Sequence, residues 1–146
     1  MTVSLSSKGV EWQGTLYRKV LARNHGDHDP SIFETVLRPQ SGPPRHIHHR
    51  EDETFQILEG EYEWTVGDKK FIARKGDTIF APRGIAHTYC YLGQKPGRLM
   101  CIITPSGFEG FFEAIGALTP QEQQDIPRVM EIAKEFGLEI LPPPGA

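Results

Sequence analysis

The sequence predicts an all-β sandwich or barrel followed by two helices, and three observations carry that reading. Short apolar segments recur at about 8–12-residue spacing through the middle of the chain. The 146 residues hold 15 Gly and 12 Pro, a share well above the ordinary one and matched to frequent turns. In the last third the apolar period changes from that of a strand to that of a helix.

Glu11 to Leu37 carries short apolar patches (Leu16-Tyr17, Val20-Leu21, Phe33 to Leu37) around the polar loop Arg23 to Pro30, which reads as strands flanking a loop. The turn Pro39 to Pro44 follows. Phe55 to Leu58 is rich in strand formers and runs to Gly60. Tyr62, Trp64 and Val66 then alternate with Glu61, Glu63 and Thr65, the period of a half-buried strand. Gly67-Asp68 turns this strand into Phe71-Ile72-Ala73, giving a hairpin. Gly76-Asp77 turns into Thr78 to Ala81, Pro82-Arg83-Gly84 into Ala86 to Leu92, and Leu99 to Thr104 is the last strand. Ser106 and Glu109 have capping-box spacing. Phe108, Phe111, Phe112 and Ile115 form an apolar stripe behind them. Asp125 is placed to cap a second helix, with Val129, Ile132, Ala133 and Phe136 on one face and Gly137 at its end. These elements make one domain over 1–146, with a barrel at about 11–104 and a helical flap at about 106–137. Pro142-Pro143-Pro144 reads as a stop.

The net charge is −3, which argues against a nucleic-acid partner. No apolar run approaches the ~20 residues of a membrane helix, and no signal-peptide core is visible at the start. A cytoplasmic location follows as the expectation. Cys90 and Cys101 are then free thiols by default. They flank the turn Gly93 to Gly97, so a hairpin there would let them face each other, with register deciding.

Four of the six histidines sit at His46, His48, His49 and His87. In an extended segment His46 and His48 present two imidazoles to one face, and His49 points to the other. Glu53 follows a charged loop, and His87 opens a later strand. Three imidazoles and a carboxylate are ligand types for Zn, Fe, Mn, Ni or Cu. Glu51 and Asp52 compete with Glu53 for the carboxylate role. Parity favours Glu53, which shares a face with Phe55 and Ile57, and Arg50-Glu51-Asp52 then reads as a solvated loop. If His87 points inward, so do Tyr89 and Tyr91, either as core tyrosines whose hydroxyls find partners or with one hydroxyl reaching a metal-bound ligand. Phe55, Ile57, Trp64 and Met100 are candidate apolar walls. His25 and His28, with Asp27 and Asp29, read as a polar surface loop.

The spacing joins these pieces. His46-x-His48, four residues, Glu53, six residues, Gly60 resembles the first sequence motif of the cupin superfamily. Gly76, five residues, Pro82-x-Gly84, two residues, His87 resembles the second. The stretch Pro105 to Phe112, the helix ending at Phe136-Gly137 and the closing prolines are similar to a bacterial subgroup with quercetin-dioxygenase-like members. The resemblance implies a double-stranded β-helix (jelly-roll) barrel with one divalent metal ion per chain, held by His46, His48, Glu53 and His87. Two positions depart from the motifs. Gln40 stands where the first motif opens with Gly, which suggests a loop shifted toward Gly42, and Tyr91 stands where the second closes with Asn.

The activity implied is that of a metal-dependent dioxygenase acting on a small phenolic or diketone-like molecule, with Glu53, Tyr89 and Tyr91 as candidate catalytic residues. Glu53 would serve as ligand or, when displaced, as a base. Two other classes use the same pocket: a non-enzymatic binding or sensing module, and a metal-dependent isomerase or hydrolase working without O₂. A homodimer is expected, with Val10 to Val20 as the exchanging strand.

Overall fold

The computed structural model of the chain describes residues 9–22 and 29–142. Among them the strands are β1 (Val10–Trp12), β2 (Thr15–Ala22), β3 (Ser31–Leu37), β4 (His46–His48), β5 (Asp52–Glu59), β6 (Glu61–Val66), β7 (Lys69–Arg74), β8 (Thr78–Ala81), β9 (His87–Tyr91), β10 (Gly97–Thr104) and β11 (Leu138–Ile140). The helices are α1 (Glu109–Gly116) and α2 (Ile126–Glu135). The strands form two antiparallel sheets. One has six strands in the order β1-β2-β3-β10-β5-β8, the other five in the order β11-β4-β9-β6-β7. The architecture is the expected all-β jelly roll with two C-terminal helices.

The core lies between the sheets and follows strand parity. Tyr62 and Trp64 from β6, Phe55 and Ile57 from β5, and Leu99, Cys101 and Ile103 from β10 all point inward and are buried. The hairpin read at Gly67-Asp68 is present, with Trp64 opposite Phe71 and Tyr62 opposite Ala73. The helices cover the barrel with the predicted stripes: Phe108, Phe111, Ile115, Val129 and Ala133 are buried. Trp12 of β1 meets the edge of Phe111 at 5.8 Å. β1 is the outer strand of its sheet, so the segment expected to exchange spans this edge and most of β2.

Several local expectations change. The segments holding Cys90 and Cys101 are not a hairpin. β9 pairs with β4 and β6, whereas β10 crosses to the other sheet and pairs with β3 and β5. Cys90 is half-buried, Cys101 is buried, and both thiols are free. The loop before β4 is not shifted either. Gln40 itself takes the left-handed conformation, with φ 63°, and its N–H donates to the Tyr91 carbonyl at 3.0 Å. Gly42 has a different duty, because a Cβ there would overlap the Tyr89 carbonyl. The Ser106–Glu109 capping box is not made. The Glu109 carboxylate accepts from the Gly107 N–H and the Ser31 hydroxyl, and the Ser106 N–H goes to the Asp29 carbonyl. Asp125 does cap α2, accepting from the Arg128 N–H at 3.3 Å. The polar residues His25, Asp27 and His28 lie outside the described residues, as do Pro143 and Pro144.

Candidate metal centre

β4 is only three residues long, and its neighbours β9 and β11 set its register. His46 faces His87 across β9, and Leu138 faces His48 across β11. Parity sends His46 and His48 inward, leaving Ile47 half-buried on the outer side. His87 is the first residue of β9 and also points inward. Glu53 comes from the opposite sheet, on β5 beside Phe55. The four side chains are 8%, 3%, 1% and 5% exposed for His46, His48, His87 and Glu53. Their potential ligand atoms all lie within 4.8 Å of one another.

Each imidazole has an acceptor behind it. His46 Nδ1 is 2.7 Å from the Pro44 carbonyl, His87 Nδ1 is 3.5 Å from the Ile85 carbonyl, and His48 Nδ1 is 3.8 Å from Glu51 Oε1. A proton on Nδ1 leaves the Nε2 lone pair for the interior. Glu53 Oε2 lies 2.7 Å from His87 Nε2 and 3.2 Å from His48 Nε2. Yet Glu53 Oε2 and His87 Nε2 are buried without a properly formed hydrogen bond. Lone pairs converging on one point in a dry interior are costly unless a cation or a proton stands between them. The donor set, three nitrogens and one carboxylate oxygen, fits a divalent transition metal.

The neighbouring charges set the ionisation of each group in the metal-free cluster. Burial, followed by the His87 and His48 charges, holds His46 well below the usual histidine range. Burial also pulls His48 down, but the charges of Glu53 and Glu51 outweigh it and raise His48 to about 9. Burial alone would raise Glu53, but His48 and His87 hold it well below the usual carboxylate range. An anion so strongly held suits a ligand better than a base. The Cys101 thiol donates to Glu53 Oε1 at 3.5 Å, and Phe108 packs edge-on against His48 at 4.5 Å.

A cavity of about 40 Å³ opens beside His46 and Glu53. Tyr17, Phe33, Phe55, Tyr89 and Cys101 supply much of its wall. A second, of about 40 Å³, lies between His46, His48, Trp12, Phe108 and Phe111. Tyr89 thus stands at the cluster. Tyr91 does not: it packs at 4.9 Å against Tyr62 and under Gly60, Gly93 and Gly97, so any contact with a bound ligand falls to Tyr89. Of the expected walls, Phe55 lines the cavity, and Trp64 lies behind Tyr89 at 4.4 Å. Ile57 is deeper in the core, and Met100 faces outward, half-buried, with Cys101 in the inward place. His49 is exposed, 2.9 Å from Glu139, as a surface residue.

Glu51 departs most from the expectation. It is 4% exposed rather than solvated, whereas Arg50 is exposed and Asp52 is half-buried and bound to Arg83. A signal was available, because Glu51 shares parity with Glu53 and Phe55. Cys101 likewise shares parity with Leu99 and Ile103. Phe108 and Tyr17 reach the site through tertiary packing and leave no local mark.

Residues 33–103 match the family model described as a cupin domain. An uncharacterized protein of Methanocaldococcus jannaschii is 30% identical over 93 residues, which is 63% of this chain and 74% of that protein. Among solved structures, a predicted oxalate decarboxylase from Thermotoga maritima is 20% identical over 71% of this chain and 98% of its own, with TM-score 0.61. KdgF from a Halomonas species is 18% identical over 73% and 99%, with TM-score 0.60. A double-stranded β-helix protein from Klebsiella pneumoniae is 21% identical over 64% and 78%, with TM-score 0.57. At these identities the solved structures share the fold with this chain.

Proposed function

The chain belongs to the cupin superfamily, and on that footing we propose that it is a metal-dependent enzyme of the dioxygenase type acting on a small diketone- or phenol-like molecule. One observation carries the reading: a partly open cavity with aromatic walls, and with no Lys or Arg among its described lining residues, adjoins the cluster at His46 and Glu53. Such a lining suits an uncharged organic substrate. About 40 Å³ holds only a few waters' worth of atoms, which favours a small diketone or a single ring over a polycyclic phenol.

His46, His48, Glu53 and His87 would hold the metal, which when bound supplies Lewis acidity and, for a redox-active ion, the electrons that O₂ chemistry needs. The chain's own groups do the rest. The Cys101 thiol donates to Glu53 Oε1 and holds the carboxylate in place. Burial, first of several causes, pushes the Tyr89 phenol well above its ordinary range, so it stays protonated and offers a hydrogen bond to a substrate oxygen. Phe33, Phe55 and Phe112 exclude water.

The test is oxygen uptake by Fe(II)-loaded protein given small β-diketones or catechols. Uptake should match substrate loss, stop on chelation and vanish in His87→Ala. Tyr89→Phe should lower kcat by about tenfold, the worth of one hydrogen bond. Turnover without O₂ uptake would move the assignment to a redox-neutral isomerase or hydrolase. Tight binding without turnover would move it to a sensing module.

A further inference from the structure

Glu51 is a buried carboxylate that the set of four ligands does not use. Its Oε1 is buried and has no hydrogen-bond partner. The same is true of His48 Nδ1, which faces it at 3.8 Å. That separation is within ion-pair range and just beyond a hydrogen bond, so two unsatisfied groups oppose each other across a gap that a small carboxylate rotation closes. The Arg83 charge also reaches Glu51, but that side chain is bound by Asp52, which accepts from its backbone N–H and its guanidinium.

The backbone holds Glu51 there from both sides. Before it, the His49 N–H donates to the Gly137 carbonyl at 2.8 Å, and the Arg50 guanidinium donates to the Glu135 carbonyl at 3.0 Å. After it, Asp52 is tied to Arg83 and Glu53 is fixed in β5. An isolated carboxylate held this far from water is expensive, and the ring nitrogen opposite, His48 Nδ1, is its ion-pair partner.

We propose that Glu51 is a positioning residue of the metal centre. It accepts a hydrogen bond from the His48 Nδ1–H, fixes the tautomer that turns Nε2 to the metal, and supplies the second negative charge that, with Glu53, balances a divalent ion in the dry interior. A carboxylate–imidazole–metal relay of this kind makes the ring a stronger donor, and losing the outer partner weakens metal binding by about 10- to 100-fold. This inference rests on the metal reading above, and its test separates the two.

Competitive chelator titrations with Zn(II) are compared for the wild type, Glu51→Gln and Glu51→Ala. Glu51→Gln keeps the shape and an acceptor oxygen but loses the charge, so an intermediate loss is expected for it and the full 10- to 100-fold loss for Glu51→Ala. In Co(II)-loaded wild type, proton NMR should show a paramagnetically shifted His48 Nδ1–H that exchanges slowly with water and sharpens or moves when Glu51 is replaced. If the wild type binds no metal, the metal reading itself fails. If it binds and both variants bind equally well, Glu51 has no such role. Should the variants not fold, the wild-type spectrum decides: a His48 N–H in fast exchange with water overturns the proposal.

Discussion

At Gln40 a residue with a Cβ occupies a backbone conformation that costs L-residues about 1–2 kcal/mol. Glycine accepts that φ freely but loses more entropy on folding. Gln40→Gly is therefore expected to stabilise the protein by about 0.5–1 kcal/mol, read from the urea midpoint at unchanged slope; a lower midpoint would mean that the Gln side chain makes a compensating contact. The position was visible as a departure from the motif, but its conformation was not, because Gly42 offered an equally simple explanation. The same holds at Glu51 and Cys101. Strand parity marked both as inward, but charge argued for solvent in one case and the longer Met100 argued for a wall in the other. His48 makes a sharper statement about charge. Raised to about 9, it is protonated at pH 7 in the metal-free protein, whereas a ligand must be neutral. Metal uptake at pH 7 should therefore release about one proton from this residue, and affinity should climb as pH rises toward 9. Calorimetry in buffers of different ionisation enthalpy reads that proton directly; an enthalpy independent of buffer would contradict the raised value.

Among the elements, the strands with clean alternation were the most legible. β6 and β7 pair as the turn at Gly67 implied, and the buried face of β6 is the one its period marked. β11 was not read, since Leu138–Ile140 is three residues beyond a helix stop and becomes a strand only because β4 lies open beside it. β9 and β10 were misjoined for a related reason. A short Gly-containing turn signals a hairpin locally, but here the chain crosses after β9 to the other sheet, where β10 pairs with β3 and β5. The two helix starts show how far a cap motif carries. Spacing suggested both, but only Asp125 accepts a helix N–H, while α1 begins at Glu109 with Phe108 rather than Ser106 at its N-cap position. Asp125→Ala should cost about 1 kcal/mol, a fall of roughly 2–4 °C in Tm for a chain of this size. Ser106→Ala should change Tm by much less, and equal losses would show that the α2 cap has been overvalued.

For the whole molecule, what matters is where the four metal-binding candidates come from. Spacing identified His46, His48, Glu53 and His87 without saying that Glu53 would face the histidines from the other sheet. β4 and β9 belong to the five-stranded sheet and β5 to the six-stranded one, so an ion among them ties the two sheets together. Without it, Glu53 Oε2 and His87 Nε2 crowd at 2.7 Å with no hydrogen bond between them. Burying such groups unsatisfied costs folding free energy, and a cation that binds only the folded chain returns it. At a free metal concentration 100 times Kd the gain is about 2.7 kcal/mol, or roughly 5–10 °C in Tm at this chain length. Chelation should reverse the shift. His87→Ala removes one of the two crowded atoms, so its metal-free form should melt close to the wild type while losing most of the metal-induced rise. A rise of equal size in both proteins would place the ion elsewhere, and no rise in the wild type would mean that the four side chains are held together by protons alone.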